Sequence, residues 1–277
     1  MTEAEQIRRI LVALDASPHS LSALEAAVEL AADLSAELVG VFVEDVNLVR
    51  MAGLPVTREV GHTSARLREI DLRRIERDLH GQALRAEKAL ATAARRRQVR
   101  WSFRVSRGSI GAQLVEAASQ VDLVVMGRTG WSSRRRSGSS VEAVLASGLR
   151  RTLVVEEGLR LQPTLLVIHD GSAMADRALD SAISLARSTG GYLAVGILAR
   201  DAELARLRQS EIAARLRPLG LEVRYRWLLD VGIQTLAEMI RTPERCVLVL
   251  PAESPLLHGR PLGETLEKLS CPVLIVR

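Results

Sequence analysis

The sequence predicts an α/β fold made of two consecutive units, each a five-stranded parallel sheet with helices on both faces. Three observations support this prediction. Apolar strand-like runs alternate with amphipathic helical segments, the order of these segments occurs twice, and both copies open in the same way. Strands that alternate with helices are typical of parallel sheets joined by right-handed crossovers. The 277 residues are enough for two units with a core each.

Each copy begins with an apolar run that ends in Asp, a small residue and Ser. Residues 10–17 read ILVALDAS and residues 165–172 read LLVIHDGS. Apolar residues then recur at helical spacing over 21–34 and over 178–186, which predicts an amphipathic helix after each opening strand. This internal repetition divides the chain into a first domain over 1–158 and a second domain over 159–277.

Four further strands are predicted in each copy, separated by helices. They span 37–43, 99–105, 123–126 and 152–155 in the first copy, and 192–198, 221–229, 247–250 and 272–276 in the second. The first copy is longer because of an insertion. Residues 47–63 have no steady period and are predicted to form a long loop, either a surface insertion or a lid or dimer contact at the carboxyl edge of the sheet. A long helix with a solvated, charged face is predicted from about residue 64 to 97.

Composition narrows the class of protein. Hydrophobic residues make up 47% of the chain, which indicates a globular protein. No apolar run approaches the roughly 20 residues that a helix needs to cross a bilayer. The first six residues, MTEAEQ, are polar and acidic, unlike a secretory signal. We therefore expect a cytoplasmic protein without a membrane partner.

The distribution of charge and of cysteine excludes further classes. The net charge is +5, but the basic residues are spread evenly over both copies, which argues against nucleic acid as a partner. Arginine clusters at 95–97 and 134–136 nevertheless keep nucleic-acid binding as a third and weaker hypothesis. Cys246 and Cys271 each begin an apolar run, and we expect buried thiols rather than a disulfide or a metal site.

The most informative local feature follows the fourth strand of the first copy. The run VVMGRTG over 124–130 ends in Gly127 and Gly130, and after seven residues Gly138 and Ser139 open an amphipathic helix. A strand, a glycine loop and a helix N-terminus together predict a phosphate cradle, because free backbone N–H groups and the positive helix end face the loop. The loop is not a Walker motif, since no Gly-Lys-Ser/Thr follows.

These features together resemble the universal stress protein family in a tandem two-domain form. The resemblance rests on Asp15-Ala16-Ser17, Gly127, Gly130, Gly138-Ser139 and the closing CPVLIV over 271–276. It implies the strand order 3-2-1-4-5 in each domain. It also implies that the last strands, 152–155 and 273–276, pair within the chain as an internal pseudo-dimer, with a homodimer formed in addition.

The resemblance further implies a site for ATP or a related adenine nucleotide, whose phosphates could bring a bound Mg²⁺ ion. Asp15 would face the ribose or adenine side, and Val41 would offer backbone contacts to adenine. Glycines would let the main chain approach the phosphates, and the helix start would offer N–H and hydroxyl groups. The predicted set is Asp15, Val41, Gly127, Arg128, Gly130, Gly138, Ser139 and Ser140.

Each copy departs from the family pattern of Gly, two residues, Gly, nine residues, then Gly-Ser or Gly-Thr. The first copy has only seven residues, 131–137, between its last two glycines, and their three arginines fit either phosphate partners or an exposed basic turn. By spacing, Leu250 and Glu253 occupy the glycine positions of the second copy, and Glu264 replaces Ser or Thr. A carboxylate at a helix start repels phosphate. We therefore predict a non-binding second copy, in which Asp170 is a turn or cap residue.

Two functional hypotheses remain open. The first is a universal stress protein that binds an adenine nucleotide in its first domain as a regulatory ligand in the stress response. The second is a nucleotide-independent stress protein in which both sites are degenerate, acting through dimerisation and contact with a protein partner. The sequence contains no recognisable catalytic constellation and no metal-ligand spacing, so we expect at most slow ATP hydrolysis.

Overall fold

The structure is a computed structural model that describes residues 6–47, 58–60, 67–69, 72–128, 139–240, 246–257 and 262–277. In the first half the elements are β1 (Arg9–Ala13), α1 (Pro18–Asp33), β2 (Glu37–Asp45), β3 (Arg58–Val60), β4 (Leu67–Glu69), α2 (Leu72–Arg96), β5 (Trp101–Gly108), α3 (Ile110–Ala118), β6 (Leu123–Gly127), α4 (Ser139–Ala146) and β7 (Arg151–Val155). In the second half they are β8 (Thr164–His169), α5 (Ala173–Thr189), β9 (Tyr192–Ala199), α6 (Ala202–Leu216), β10 (Val223–Leu229), α7 (Ile233–Ile240), β11 (Val247–Pro251), α8 (Leu262–Glu267) and β12 (Val273–Val276).

Ten strands form one continuous sheet in the order β10-β9-β8-β11-β12-β7-β6-β1-β2-β5. Within each half this is the order 3-2-1-4-5, with every neighbouring pair parallel, so the predicted fold class is confirmed. The two halves meet through β7 and β12, which pair antiparallel with Leu153 opposite Leu274. The predicted joining of the two last strands is therefore confirmed.

Helices cover both faces of this sheet and create two cores. Apolar residues of α1, α2, α5 and α6 pack on one face, and those of α3, α4, α7 and α8 pack on the other. Strands β7, β11 and β12 are accordingly rich in Val, Leu and Ile and buried along their whole length, as expected for strands covered on both sides. Cys246 and Cys271 are free thiols buried in the second of these cores, as predicted.

Arginines bridge the seam, by which we mean the β7–β12 pair and the side chains that cross it. The Nη2 of Arg128 donates to the Leu269 carbonyl at 2.6 Å, and the Nη2 of Arg277 donates to the Leu145 carbonyl at 2.8 Å. Leu145 lies in the last turn of α4, and Leu269 follows the end of α8. Each half thus supplies a cation to the carboxyl end of a helix of the other half, where unpaired carbonyls and the helix dipole favour positive charge.

The insertion of the first half differs from the prediction. Strand β3 lies inside the segment predicted to be a loop, and β4 lies where the long helix was predicted to begin; the two strands pair antiparallel, with Arg58 opposite Glu69 and Glu59 opposite Arg68. Helix α2 accordingly starts at Leu72, eight residues later than predicted.

The predicted boundary between residues 158 and 159 falls in the connection from β7 to β8. It remains a prediction, because one sheet runs through both halves. Within the described ranges, no helix combines the length and the apolar character needed to span a membrane.

Candidate functional site

The strand directions give the molecule two separate crevices. Because β7 and β12 are antiparallel, the strands of the two halves end at opposite edges of the sheet. We call the carboxyl ends of β1, β2 and β6 the first crevice and those of β8, β9 and β11 the second crevice. In both, the strand order reverses beside the first strand of the half, which is where open α/β sheets bind ligands.

Asp15 lies at the carboxyl end of β1 and shapes the turn into α1. Its Oδ1 accepts the N–H of Ser17 at 2.9 Å, and Ala16 between them has a positive φ of 59°. The Ser17 hydroxyl then caps the helix by accepting the N–H of Ser20 at 3.2 Å. The half-buried Asp15 carboxylate is thus fixed at the mouth of the first crevice, while its predicted contact with ribose remains a prediction.

The same turn recurs at the second crevice. The Oδ1 of Asp170 accepts the N–H of Ser172 at 2.9 Å, Gly171 has a φ of 84°, and the Ser172 hydroxyl caps α5 by accepting the N–H of Ala175 at 3.1 Å. This geometry agrees with the interpretation of Asp170 as a turn residue. The two halves therefore differ in what surrounds the turn rather than in the turn itself.

Gly127 ends β6 against the first turn of α1. A Cβ at this position would lie 2.8 Å from the carbonyl carbon of His19 and 2.9 Å from its oxygen. Backbone atoms cannot yield as a flexible side chain can, so the close approach of α1 requires glycine here. The structure thus gives Gly127 a packing role in addition to the predicted one towards phosphate.

The remaining predicted residues are described to different extents. Val41 lies in β2, with a buried side chain and a carbonyl that accepts the N–H of Leu14 at 2.9 Å. Ser139 and Ser140 form the first turn of α4. Gly130 and Gly138 lie outside the described residues, as does the arginine loop 131–137. Their predicted contacts with a nucleotide remain predictions.

Arg128 points away from the first crevice and into the seam. Its Nη2 bonds the Leu269 carbonyl, its Nη1 lies 3.1 Å from the Glu156 carboxylate, and its Nε has no hydrogen-bond partner among the described residues. Only 5% of the residue is exposed. Burial lowers the pKa of the guanidinium, and the charge of Glu156 opposes that effect. We therefore leave Arg128 out of the site that we propose below.

The strand register corrects the comparison of the two glycine loops. Gly127 pairs with Val155 next to the seam, and the residue in the corresponding place of the second half is Pro251, which pairs with Val276. The assignment of Leu250 and Glu253 by spacing was therefore wrong by one residue, and Ser254 takes the second glycine position. Pro251 has no N–H to offer a ligand. Ser254 is fully buried, and its N–H donates to the Pro251 carbonyl at 3.0 Å.

A side chain of the protein itself occupies the second crevice. Arg208 of α6 donates from Nη1 to the carbonyl of Leu198 near the end of β9. Its guanidinium lies directly over the turn after β8, because a Cβ at Gly171 would be 2.6 to 2.9 Å from three guanidinium atoms. This is the side of the crevice where, in the first half, adenine and ribose are predicted to bind.

The corresponding residue of the first half is Ala86. Trp101 and Val223 hold equivalent places in the two edge strands, opposite Leu38 and Leu193, and Ala86 precedes Trp101 by as many residues as Arg208 precedes Val223. The same offset relates two pairs of buried helix residues, Ala83 with Ala205 and Leu90 with Ile212. Where the second half has a guanidinium, the first half has a single methyl group.

A network of polar side chains further stabilises the second crevice. The buried His169 accepts the N–H of Gly171 at its Nδ1, at 3.2 Å, and its Nε2 lies 3.4 Å from the Asp176 carboxylate. Arg215 joins Asp176 to Asp180. Burial lowers the pKa of His169 more than its hydrogen bond with Asp176 raises it. The imidazole is therefore neutral near pH 7 and serves as a structural residue.

Comparison with known proteins decides the family. The model of the Universal stress protein family matches residues 6–155, which is more than half of the chain. The chain belongs to the universal stress protein family. A universal stress protein from Archaeoglobus fulgidus DSM 4304 is similar in fold over 99% of both chains, with 18% identity and a TM-score of 0.73. A functionally unknown protein from Pseudomonas aeruginosa PAO1 aligns over 100% of this chain and 94% of its own, with 14% identity and a TM-score of 0.58.

At these identities the two solved structures show the shared fold alone. A search of curated proteins gives no match. Among the described residues of this universal stress protein, no group of three His, Cys, Asp or Glu side chains is arranged to hold a metal ion.

Sequence reasoning missed Arg208 and Ala86, although both are important for the two crevices. The sequence did contain a signal for this difference. When α2 and α6 are aligned by their distance from the third strand of each half, the basic Arg208 corresponds to the small Ala86. The sequence alone could not reveal that this position points into the crevice. That conclusion requires the contact of Arg208 with Leu198 and Gly171.

Proposed function

We propose that this universal stress protein binds an adenine nucleotide, ATP or a close relative, in its first crevice and uses it as a regulatory ligand in the stress response. The observation that carries the proposal is the difference between the halves. Arg208 fills the adenine and ribose side of the second crevice, whereas the corresponding residue of the first half, Ala86, contributes only a methyl group.

The first crevice offers suitable groups for each part of a nucleotide. Asp15 at the end of β1 is a carboxylate suited to a ribose hydroxyl. The first turn of α1 contains no acidic residue and directs its positive end towards the crevice. Gly130, Gly138, Ser139 and Ser140 are the expected phosphate contacts, with Mg²⁺ carried in by the phosphates. Val41 is the expected backbone partner of adenine.

The second crevice is proposed to remain without nucleotide. The Arg208 guanidinium is bonded to Leu198, Pro251 lacks an N–H, and Glu264 places negative charge in the first turn of α8. The proposal further includes a cytoplasmic location, a homodimer formed in addition to the internal pairing, and at most slow hydrolysis of the nucleotide.

Calorimetric titration of ATP into the purified chain tests the proposal. We expect saturable heat with one site per chain, loss of that heat in Ala86→Arg, and unchanged heat or a second site in Arg208→Ala. Because Ala86 is buried, circular dichroism must show that its variant is folded. Gly130→Glu, in the loop, is the second variant and should also abolish the heat.

The alternative function makes the opposite prediction in the same titration. If both crevices are degenerate and the protein acts through partner contact alone, ATP gives no heat up to millimolar concentration, and Gly130→Glu and Ala86→Arg behave like the unchanged protein. The observation that favours this alternative is that Arg128 contacts residues of the seam instead of facing the first crevice.

A further inference from the structure

A cavity of about 160 Å³ lies at the seam, away from both crevices. It lies between α1 and α5, against the central strands, and is partly open to solvent. Its walls come from corresponding places in the two halves: Leu30 and Leu185 from the helices, Leu153 and Leu274 from the paired strands, and Leu123 and Val247 from the strands beside them. Neither half alone could form it.

The interior of the cavity suits an apolar group. These six wall residues are aliphatic, and all are buried. Apolar cavities of roughly 150 Å³ stay dry and accept guests of the size of benzene. Filling such a space restores dispersion contacts that the wall atoms otherwise lack. The size therefore fits an aromatic ring or a short aliphatic chain.

The rim of the cavity has charge on one side only. Glu29 and Asp33, one turn apart on α1, are the charged residues in the described part of the lining, and the opposite side is formed by the neutral Thr189 of α5 and Gln162. Among the described residues, neither carboxylate has a hydrogen bond or an ion pair, and no arginine, lysine or histidine lines the cavity. The charge that the described residues place at the mouth is therefore negative, and a cation there would gain the attraction of two carboxylates.

We propose that this cavity binds a small amphipathic organic cation. An apolar body of about six to eight non-hydrogen atoms fills the leucine-lined interior. A protonated amine at one end lies at the rim against Glu29 and Asp33. The apolar interior supplies affinity through burial, and the carboxylates select the charge of the guest. The proposal is independent of nucleotide binding, because it uses no residue of either crevice.

Fluorine NMR titration of the full chain with 4-fluorobenzylamine tests the proposal, with 4-fluorobenzyl alcohol and 4-fluorobenzoate as probes of the same shape. We expect the amine to bind about tenfold more tightly than the alcohol, and the benzoate not to bind. In the double variant Glu29→Gln, Asp33→Asn, the affinity for the amine should fall to that for the alcohol. Glu25→Gln, an exposed change on α1 outside the lining, is the matched control and should bind all probes as before.

A second variant tests the location. Leu185→Phe fills the interior and should abolish binding of both the amine and the alcohol; if it does not fold, Thr189→Phe at the half-buried end of α5 blocks the mouth instead. The proposal is overturned if the amine does not bind up to millimolar concentration, if the benzoate binds as well as the amine, or if the blocking variants leave binding unchanged.

Discussion

Arg128 is almost completely removed from water, yet it retains two strong partners. Its guanidinium donates to the Leu269 carbonyl and lies 3.1 Å from the Glu156 carboxylate. A buried charge is tolerated only when such partners compensate for the lost hydration, and removing one member leaves the others unsatisfied. Arg128 therefore contributes mainly to the attachment of the second half.

Replacement of this arginine should weaken the folded state. We expect Arg128→Met, which keeps the aliphatic volume, to lower the free energy of unfolding by about 2 kcal/mol, because a buried carbonyl loses a charged donor. Arg160→Met, an exposed change in the connection to β8, should alter it by less than about 0.5 kcal/mol. Urea unfolding followed by circular dichroism measures both. Equal effects of the two substitutions would contradict the structural role of Arg128.

His169 should make stability depend on pH. Burial holds its pKa below the ordinary value, against the opposing effects of Asp176 and Asp170 and with a smaller contribution from Arg208. The unfolded chain then binds the proton more readily, so the contribution of the neutral imidazole is complete above about pH 6.5 and is lost as the pH falls from there towards the folded pKa. We expect the free energy of unfolding to decrease between pH 7.5 and 5.5, and His169→Asn to reduce that decrease. His80→Asn, an exposed change on α2, should leave it as it is. A steeper decrease in His169→Asn would be contrary to this account.

At the scale of elements, the two equivalent turns before α1 and α5 allow a reciprocal test. Ala16 has a left-handed conformation that costs an L-residue about 1–2 kcal/mol, whereas Gly171 adopts it freely. Ala16→Gly should therefore raise the free energy of unfolding by up to about 1 kcal/mol after the entropy cost of glycine. Gly171→Ala should lower it by about 2 kcal/mol, because the new methyl group also meets the Arg208 guanidinium. Thermal unfolding compares the pair; a stabilising Gly171→Ala would rule out the positive φ and the contact with Arg208.

The elements were the most predictable part of the fold. The eight inner strands follow from apolar runs, and the edge strands β5 and β10 follow from patterns in which apolar and polar residues alternate. The β3–β4 hairpin did not, since it is three residues long on each strand and has no apolar period to reveal it. The candidate site was predictable where it depends on a local turn, as at Asp170. It was not predictable where it depends on contacts between elements, as for Arg128, Arg208 and the close approach of His19 to Gly127.

At the scale of the whole molecule, the continuous sheet should make the halves unfold together. The seam joins them through strand pairing, arginine bridges and buried leucines. Single-tryptophan variants that retain either Trp101 of β5 or Trp227 of β10 report on opposite edges of the sheet. We expect coincident urea transitions from both, and an equal shift of both by Leu274→Ala, of roughly 2–4 kcal/mol. Separate transitions would indicate two independent domains.

The whole molecule also shows what a repeated sequence does not reveal. Two copies of one fold predict two equivalent crevices, and the degenerate glycine loop of the second copy predicts that one of them is inactive. The structure adds that Arg208 reaches its own crevice from the helix after the second strand. At the corresponding position of the first half, Ala86 contributes only a methyl group.

Native mass spectrometry of the full chain with ATP tests the central claim most directly, since it counts bound nucleotides. We expect one nucleotide per chain for the unchanged protein and for Asp170→Asn, and none for Ala86→Arg. Two nucleotides per chain, or none at any concentration up to millimolar, would contradict it.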